Sequence, residues 1–261
     1  MRYRLITILL VLFVFTGCTT ESDGFLLPPF EPVSDTIPLP SDTAPKDAVA
    51  EFVFPDKVDL AVPWGSQAPT GDWGLPYQEA CEEAVLIGSH YYLTGEKLNE
   101  SLMNEEIKNL IAWETEKYGT YTDTTIAEVA QMAREYFNLN AEISEDVSVT
   151  NIKKQLASGK LVIVPTAGRL LGNPHYTGAG PIYHMLILRG YNSKYFITND
   201  VGTRNSGFGY KFKINTVIEA IHDLPLKEDG SAWRFYDETI PDAEKAERML
   251  TGVKKILILT K

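Results

Sequence analysis

Two cysteines and four histidines limit the chemistry open to this 261-residue chain. Cys18 follows an apolar run from Leu5 to Phe15, and Cys81 stands in Gln78-Glu79-Ala80-Cys81-Glu82-Glu83-Ala84, where a helix is expected to begin. If Cys18 carries a lipid, Cys81 is the one thiol left in the mature chain. A disulfide framework or a cysteine-rich metal site within one chain is then excluded. Cys81 is either a small buried apolar residue or a nucleophile. A thiol attacks as thiolate, which requires a nearby base or a helix N-terminus to lower its pKa. The expected helix start meets the second condition, and a histidine brought in by the fold must meet the first.

Geometry sorts the four histidines. His90 lies nine residues after Cys81, so at about 100° per residue it faces roughly the opposite side of the same helix. His222 falls in Val217-Ile218-Glu219-Ala220-Ile221-His222-Asp223, a short amphipathic helix, on its polar side. His175 sits in the loop Gly172 to Gly178, exposed and mobile. His184 opens an apolar strand, a position both rigid and near the surface, which suits a general base; His175 is the second candidate. An acceptor must fix the imidazole tautomer, and the strand Tyr195 to Thr198 leads into Asn199-Asp200. Successive strand residues face opposite sides, so one of this pair can address the histidine. Asp200 would also stabilise the imidazolium, whereas Asn199 would only orient it. Taken alone, Asp200 reads as a turn-former in Asn199-Asp200-Val201-Gly202; beside Cys81 and His184 it reads as the third member.

The elements that must hold these residues follow from periodicity. Helices are expected over Cys81 to Leu93, Asn99 to Lys117, Thr125 to Phe137, where Thr125 and Glu128 have capping-box spacing, and Ile152 to Ala157, stopped by Gly159. Short apolar runs then read as strands: Leu161 to Val164, Met185 to Leu188, Tyr195 to Thr198, Gly209 to Ile214 and Ile256 to Leu259. Helices first and an antiparallel sheet after them is an α+β order. Trp64, Trp73, Tyr77, Tyr176, Phe208 and Tyr210 flank the candidate residues; Trp64, Trp73 and Tyr176 would line a groove for an extended peptide if they do not pack in core or loops. Gly178-Ala179-Gly180 lacks the lysine and the strand-to-helix context of a phosphate loop, and the scattered histidines show no metal-ligand spacing, so neither cofactor nor metal is expected.

The N-terminal 17 residues read as an export signal: Arg2 and Arg4 precede an apolar stretch too short for a spanning helix of about 20 residues. Phe15-Thr16-Gly17-Cys18 resembles the lipobox of bacterial lipoproteins, with Phe15 in place of the usual Leu, which implies that Cys18 bears the lipid; an ordinary secretory signal is the alternative. Residues 18–55 read as a tether, with Pro28, Pro29, Pro32, Pro38, Pro40 and Pro45 among Ser, Thr, Asp and Glu. Residues 56–261 suit one globular domain with a full core, expected to be monomeric. A net charge of −11 with no basic run argues against nucleic acid or an anionic lipid surface as partner.

As a set, Val62-Pro63-Trp64-Gly65-Ser66-Gln67-Ala68-Pro69, Cys81-Glu82-Glu83-Ala84, His184-Met185-Leu186-Ile187-Leu188-Arg189-Gly190-Tyr191 and Asn199-Asp200 resemble the peptidase C-thirty-nine-like family, a papain-superfamily group related to bacteriocin double-glycine leader peptidases. The resemblance runs from about Val58 to the C-terminus. It implies a papain-like fold and acyl transfer, with Cys81 as nucleophile, His184 as base, Asp200 as orienting acid and Gln67 as the oxyanion-hole side chain. Three departures stand out: Glu82 follows Cys81 where many relatives have Gly, Gln67 lies fourteen residues ahead of Cys81, and Val201 replaces a common Pro. Gln78 is the weaker substitute for Gln67. The implied partner is a peptide or protein substrate, outside the cytoplasm. The same triad would serve a cell-wall amide or isopeptide bond, and a surface binding domain that has lost turnover is the rival of another class.

Overall fold

The sheet forms where β-branched and other apolar residues run together, and helices cover both of its faces. The computed structural model describes residues 53–236 and 239–261; the expected signal, Cys18 and nearly all of the tether lie outside them. In chain order the elements are β1 (Val58–Asp59), α1 (Cys81–Thr94), α2 (Glu100–Tyr118), α3 (Ile126–Glu135), β2 (Asn140–Ser144), α4 (Val149–Ala157), β3 (Leu161–Ala167), β4 (Tyr183–Tyr191), β5 (Tyr195–Asn199), β6 (Phe208–Lys213), α5 (Ile214–Ala220), α6 (Asp242–Met249) and β7 (Ile256–Thr260). Single 3-10 turns lie at Tyr77–Glu79 and Gly168–Leu171.

Local chemistry sets the helix ends. The Asn99 side chain accepts from the Leu102 N–H at the start of α2, and the Thr125–Glu128 capping box forms in full at α3. Ser148 caps α4 and so begins it three residues earlier than the apolar pattern suggests. The sheet is antiparallel in the order β2-β7-β3-β4-β5-β6, with β1 paired to the far end of β4. The α+β class is as expected, but the simple order of helices before sheet is not: β1 precedes α1, and β2 falls between α3 and α4.

Two-residue alternation divides the core. Ile163, Met185, Ile187, Leu257 and Leu259 face α1, α2 and α3, while Val162, Val164, Leu186, Leu188 and Phe196 face α4 and α5. Each such side chain, buried, contributes roughly 1.5–3 kcal/mol relative to exposure. α1 lies close on β4 because residue 88 is glycine: a Cβ there would stand 3.2 Å from Ile187 Cδ1. That approach brings the N-terminus of α1, and Cys81 with it, to the β4 end that carries His184.

Candidate active site

Cys81 is the first residue of α1, placed there by a 3-10 turn that closes when the Ala80 N–H donates to Tyr77 O. Its Sγ is buried and donates to Glu82 Oε2 at 2.9 Å, and Glu82 Oε1 accepts from the Thr124 N–H at 3.1 Å. Burial pushes the Cys81 thiol well above its ordinary pKa; the Glu82 carboxyl adds to this by charge and by hydrogen bond, and the Met185 N–H acts in the opposite direction. The helix start was expected to depress this pKa. Its surroundings raise it instead, because a buried carboxyl is the thiol's nearest partner.

His184 is the second residue of β4, not the first, and it is buried. Thr166 Oγ1 donates to its carbonyl at 2.7 Å, and Gly168 leaves room for its Cβ, which an added methyl would meet at 3.1 Å. β4 and β5 pair antiparallel, with His184 near the start of β4 and Asp200 just past the end of β5. The ring therefore meets the carboxylate, with Nε2 at 2.9 Å from Asp200 Oδ1. That bond assigns the proton to Nε2 and leaves Nδ1 as the ring's acceptor.

Asp200 Oδ2 accepts from Asn173 Nδ2 at 2.7 Å and from the Tyr176 hydroxyl at 2.9 Å, and Oδ1 also accepts from the Gly202 N–H at 3.2 Å. Burial works to raise the Asp200 pKa, but the His184 ring and these donors outweigh it and hold the carboxyl below its usual range. Asn199 turns the other way, where its Nδ2 donates to Pro63 O at 3.1 Å and its Oδ1 accepts from Arg189.

Gln67 is buried beside the pair. Its Nε2 donates to Tyr77 O at 3.0 Å and to Gln78 O at 3.1 Å, so both amide hydrogens are engaged. Among the described residues its Oε1 has no donor, and it lies with the His184 ring around Gly202. As oriented, Gln67 offers the site an acceptor.

One cavity of about 490 Å³ takes in Cys81, Glu82, His184, Gln67, Tyr176 and Trp73. The other groove candidate, Trp64, does not reach it; its ring packs edge-on against Phe208 at 6.2 Å. Tyr176 does more than line the wall, since it also holds Asp200. His175 borders the cavity from an exposed loop and packs edge-on to Tyr210. His90 lies against Phe137, with ring centroids 4.7 Å apart, and takes no part. His222 stands past the end of α5 rather than on its polar side, and its Nδ1 bonds Gly252 O at 2.9 Å. Glu82 and Asn173 are the members that sequence reasoning missed. Only the departure at position 82 signalled the first, and nothing local signalled the second, whose partner is 27 residues away. Among the described residues, no group of three or more His, Cys, Asp and Glu is arranged to hold a metal ion.

No curated protein matches the chain. A crystal structure from Bacillus anthracis, provisionally assigned as a C39-like peptidase, superposes with a TM-score of 0.44 and 17% identity, covering 79% of this chain and 99% of that one. The model of the Peptidase C39 like family matches residues 59–220, more than half of the sequence, and the chain belongs to that family.

Proposed function

We propose that this chain is a membrane-tethered, extracytoplasmic cysteine peptidase that hydrolyses peptide bonds. The observation that carries this reading is the His184 Nε2–Asp200 Oδ1 bond of 2.9 Å in the cavity that Cys81 also lines. His184 Nδ1 takes the Cys81 proton as Sγ attacks the amide carbonyl carbon. The same nitrogen passes that proton to the leaving amine as the C–N bond breaks, which leaves a thioester. His184 then removes a proton from water, whose oxygen displaces Sγ and frees the acid. The Cys81 backbone N–H, first in α1 and outside the helical ladder, faces the developing oxyanion. Gln67 joins it by releasing one Nε2 hydrogen from Tyr77 O or Gln78 O. Cys18 carries the lipid, and the proline-rich tether holds the domain away from the membrane.

Hydrolysis of labelled casein by the full-length chain in detergent and reductant tests the reading. Cys81→Ala is expected to abolish turnover. Gln67→Ala is expected to leave a remnant reduced on the order of 10²–10³-fold. An unchanged rate in folded Cys81→Ala protein would sink the nucleophile assignment. Release of fragments from purified peptidoglycan, with casein intact, would move the same triad to a cell-wall amide. The raised pKa of Cys81 favours a second reading, a peptide-binding surface domain without turnover. That reading predicts a thiol that stays unreactive and casein that stays whole.

A further inference from the structure

Position 82 follows the nucleophile directly, and here it holds a carboxyl that is 1% exposed and borders the active cavity. Glu82 is fixed at both oxygens. Oε1 accepts from the Thr124 N–H at the entry to α3, and Oε2 lies 2.9 Å from Cys81 Sγ. A carboxylate at Oε2 has no hydrogen to give, so the thiol must donate and stays protonated. A carboxylic acid reverses the bond, because Oε1 is already occupied by Thr124 and the acid hydrogen on Oε2 points at sulfur. The thiol proton is then free to pass to His184 Nδ1, giving thiolate and imidazolium with no other reactant.

We propose that Glu82 is a proton-operated latch on the nucleophile: ionised, it holds Cys81 as an unreactive thiol, and protonated, it donates to Sγ and yields the thiol proton to His184. The proposal rests on the peptidase reading and makes Glu82 a positioning residue that acts through Cys81. Burial pushes the Glu82 carboxyl up to about 8, which puts the changeover near neutral pH. Its surroundings support that direction. Glu79 from the 3-10 turn and Asp123 before α3 repel its charge, while the hydrogen bond from Cys81 works the other way; Glu83 on α1 and Glu114 on α2 are buried neighbours whose own pKa Glu82 raises. Lys245 and Arg234 act on Asp123, drawing its pKa down against burial. From β4, Tyr183 faces the thiol and Glu82 as a neutral phenol with its pKa raised.

The test is the iodoacetamide alkylation rate against pH for the full-length chain in a Cys18→Ser background, which leaves Cys81 as the one thiol. Glu82→Gln keeps an oxygen for Thr124 and offers Sγ a permanent donor. The ratio of its rate to that of the parent is expected to be near one at about pH 6 and to climb to about tenfold by about pH 9, the equivalent of one pKa unit. Glu82→Asp, which retains the charge but draws it back from Sγ, is expected to show a smaller climb in the same direction and carries the test if Glu82→Gln does not fold. A ratio that stays flat with pH in the folded variants would overturn the latch. His184→Ala separates the two claims. Alkylation that depends on His184 and not on Glu82 removes the latch alone, whereas alkylation indifferent to both removes the peptidase reading and the latch with it.

Discussion

Behind the cavity the sheet wall and the helix wall treat buried carboxyls in opposite ways, with Asp200, Glu83 and Glu114 set back from the cavity surface that Glu82 lines. On the sheet side Asp200 is fully buried, and burial raises its pKa, yet the His184 ring, Tyr176 and Asn173 outweigh that and hold it below the usual carboxylate range. On the helix side Glu82, Glu83 and Glu114 are just as buried, and all three are pushed up, Glu82 to about 8 and Glu114 to about 9. Burial is common to both walls; the supply of donors is not. Glu82 has one backbone N–H and a thiol, and the four oxygens of Glu83 and Glu114 meet no donor elsewhere in the described protein. The fold thus keeps one buried carboxyl low and others high by giving donors to one wall and withholding them from the other.

The strongest way to break this contrast is to remove the sheet-side charge. Asp200→Asn leaves a hydrogen-bonding side chain but can present its amide to His184 Nε2, which favours the wrong tautomer. The kcat/KM for casein is expected to fall on the order of 10⁴-fold, the scale seen when a triad acid becomes an amide. A loss of less than about tenfold would mean that the sheet wall only orients the ring.

Tyr176→Phe sharpens the same point at lower cost. It retains the ring that packs edge-on to His184 at 5.6 Å and removes one donor from Asp200. A hydrogen bond to a charged group contributes about 1.5–3 kcal/mol, so kcat/KM is expected to drop about tenfold or somewhat more. With one donor fewer, the Asp200 pKa rises, and the acid limb of the pH–rate profile should move to higher pH. A drop in rate with an unmoved acid limb would assign Tyr176 to substrate contact instead.

Which parts of this contrast were legible in the sequence depends on how far each cause acts along the chain. The Thr125–Glu128 cap, the glycine beyond α4 and the apolar runs of β3, β4, β5 and β7 act within a few residues, and each was readable. β2 was not, since Asn140-Ala141-Glu142-Ile143-Ser144 is half polar and becomes a strand by pairing with β7, more than a hundred residues away. α6 escaped for a similar reason: its sequence Asp-Ala-Glu-Lys-Ala-Glu-Arg-Met is mostly charged, and packing of Met249 fixes it. Alternation correctly separated Asp200 from Asn199, a strictly local argument. The donors Asn173 and Tyr176 reach Asp200 through a long connection between β3 and β4, so their types alone carried no message. The thiol's pKa was misjudged because a helix start is visible in sequence, whereas complete burial beside a carboxyl is a property of the packed state.

The smallest expected effect concerns stability and belongs to the helix wall. Glu83 and Glu114 face one another in the core, and each carboxyl has its pKa raised by burial first and by the other acidic groups second. A carboxyl whose folded pKa exceeds its unfolded value, about 4.3, binds a proton in the native state that the unfolded chain has released. Stability from this pair is therefore fully present below about pH 4.3 and is lost as pH climbs toward the folded value of about 9 for Glu114. Glu114→Gln replaces the titrating acid with a neutral amide that can donate to Glu83. Its melting temperature should match that of the parent near pH 4.5 and exceed it at about pH 8, the gap widening with pH at roughly 2–4 °C per kcal/mol for a domain of this size. Differential scanning calorimetry at the two pH values is the measurement. A change of equal size at both would show that the pair contributes by shape alone, and the opposition between the two walls would then be confined to Asp200 and Glu82.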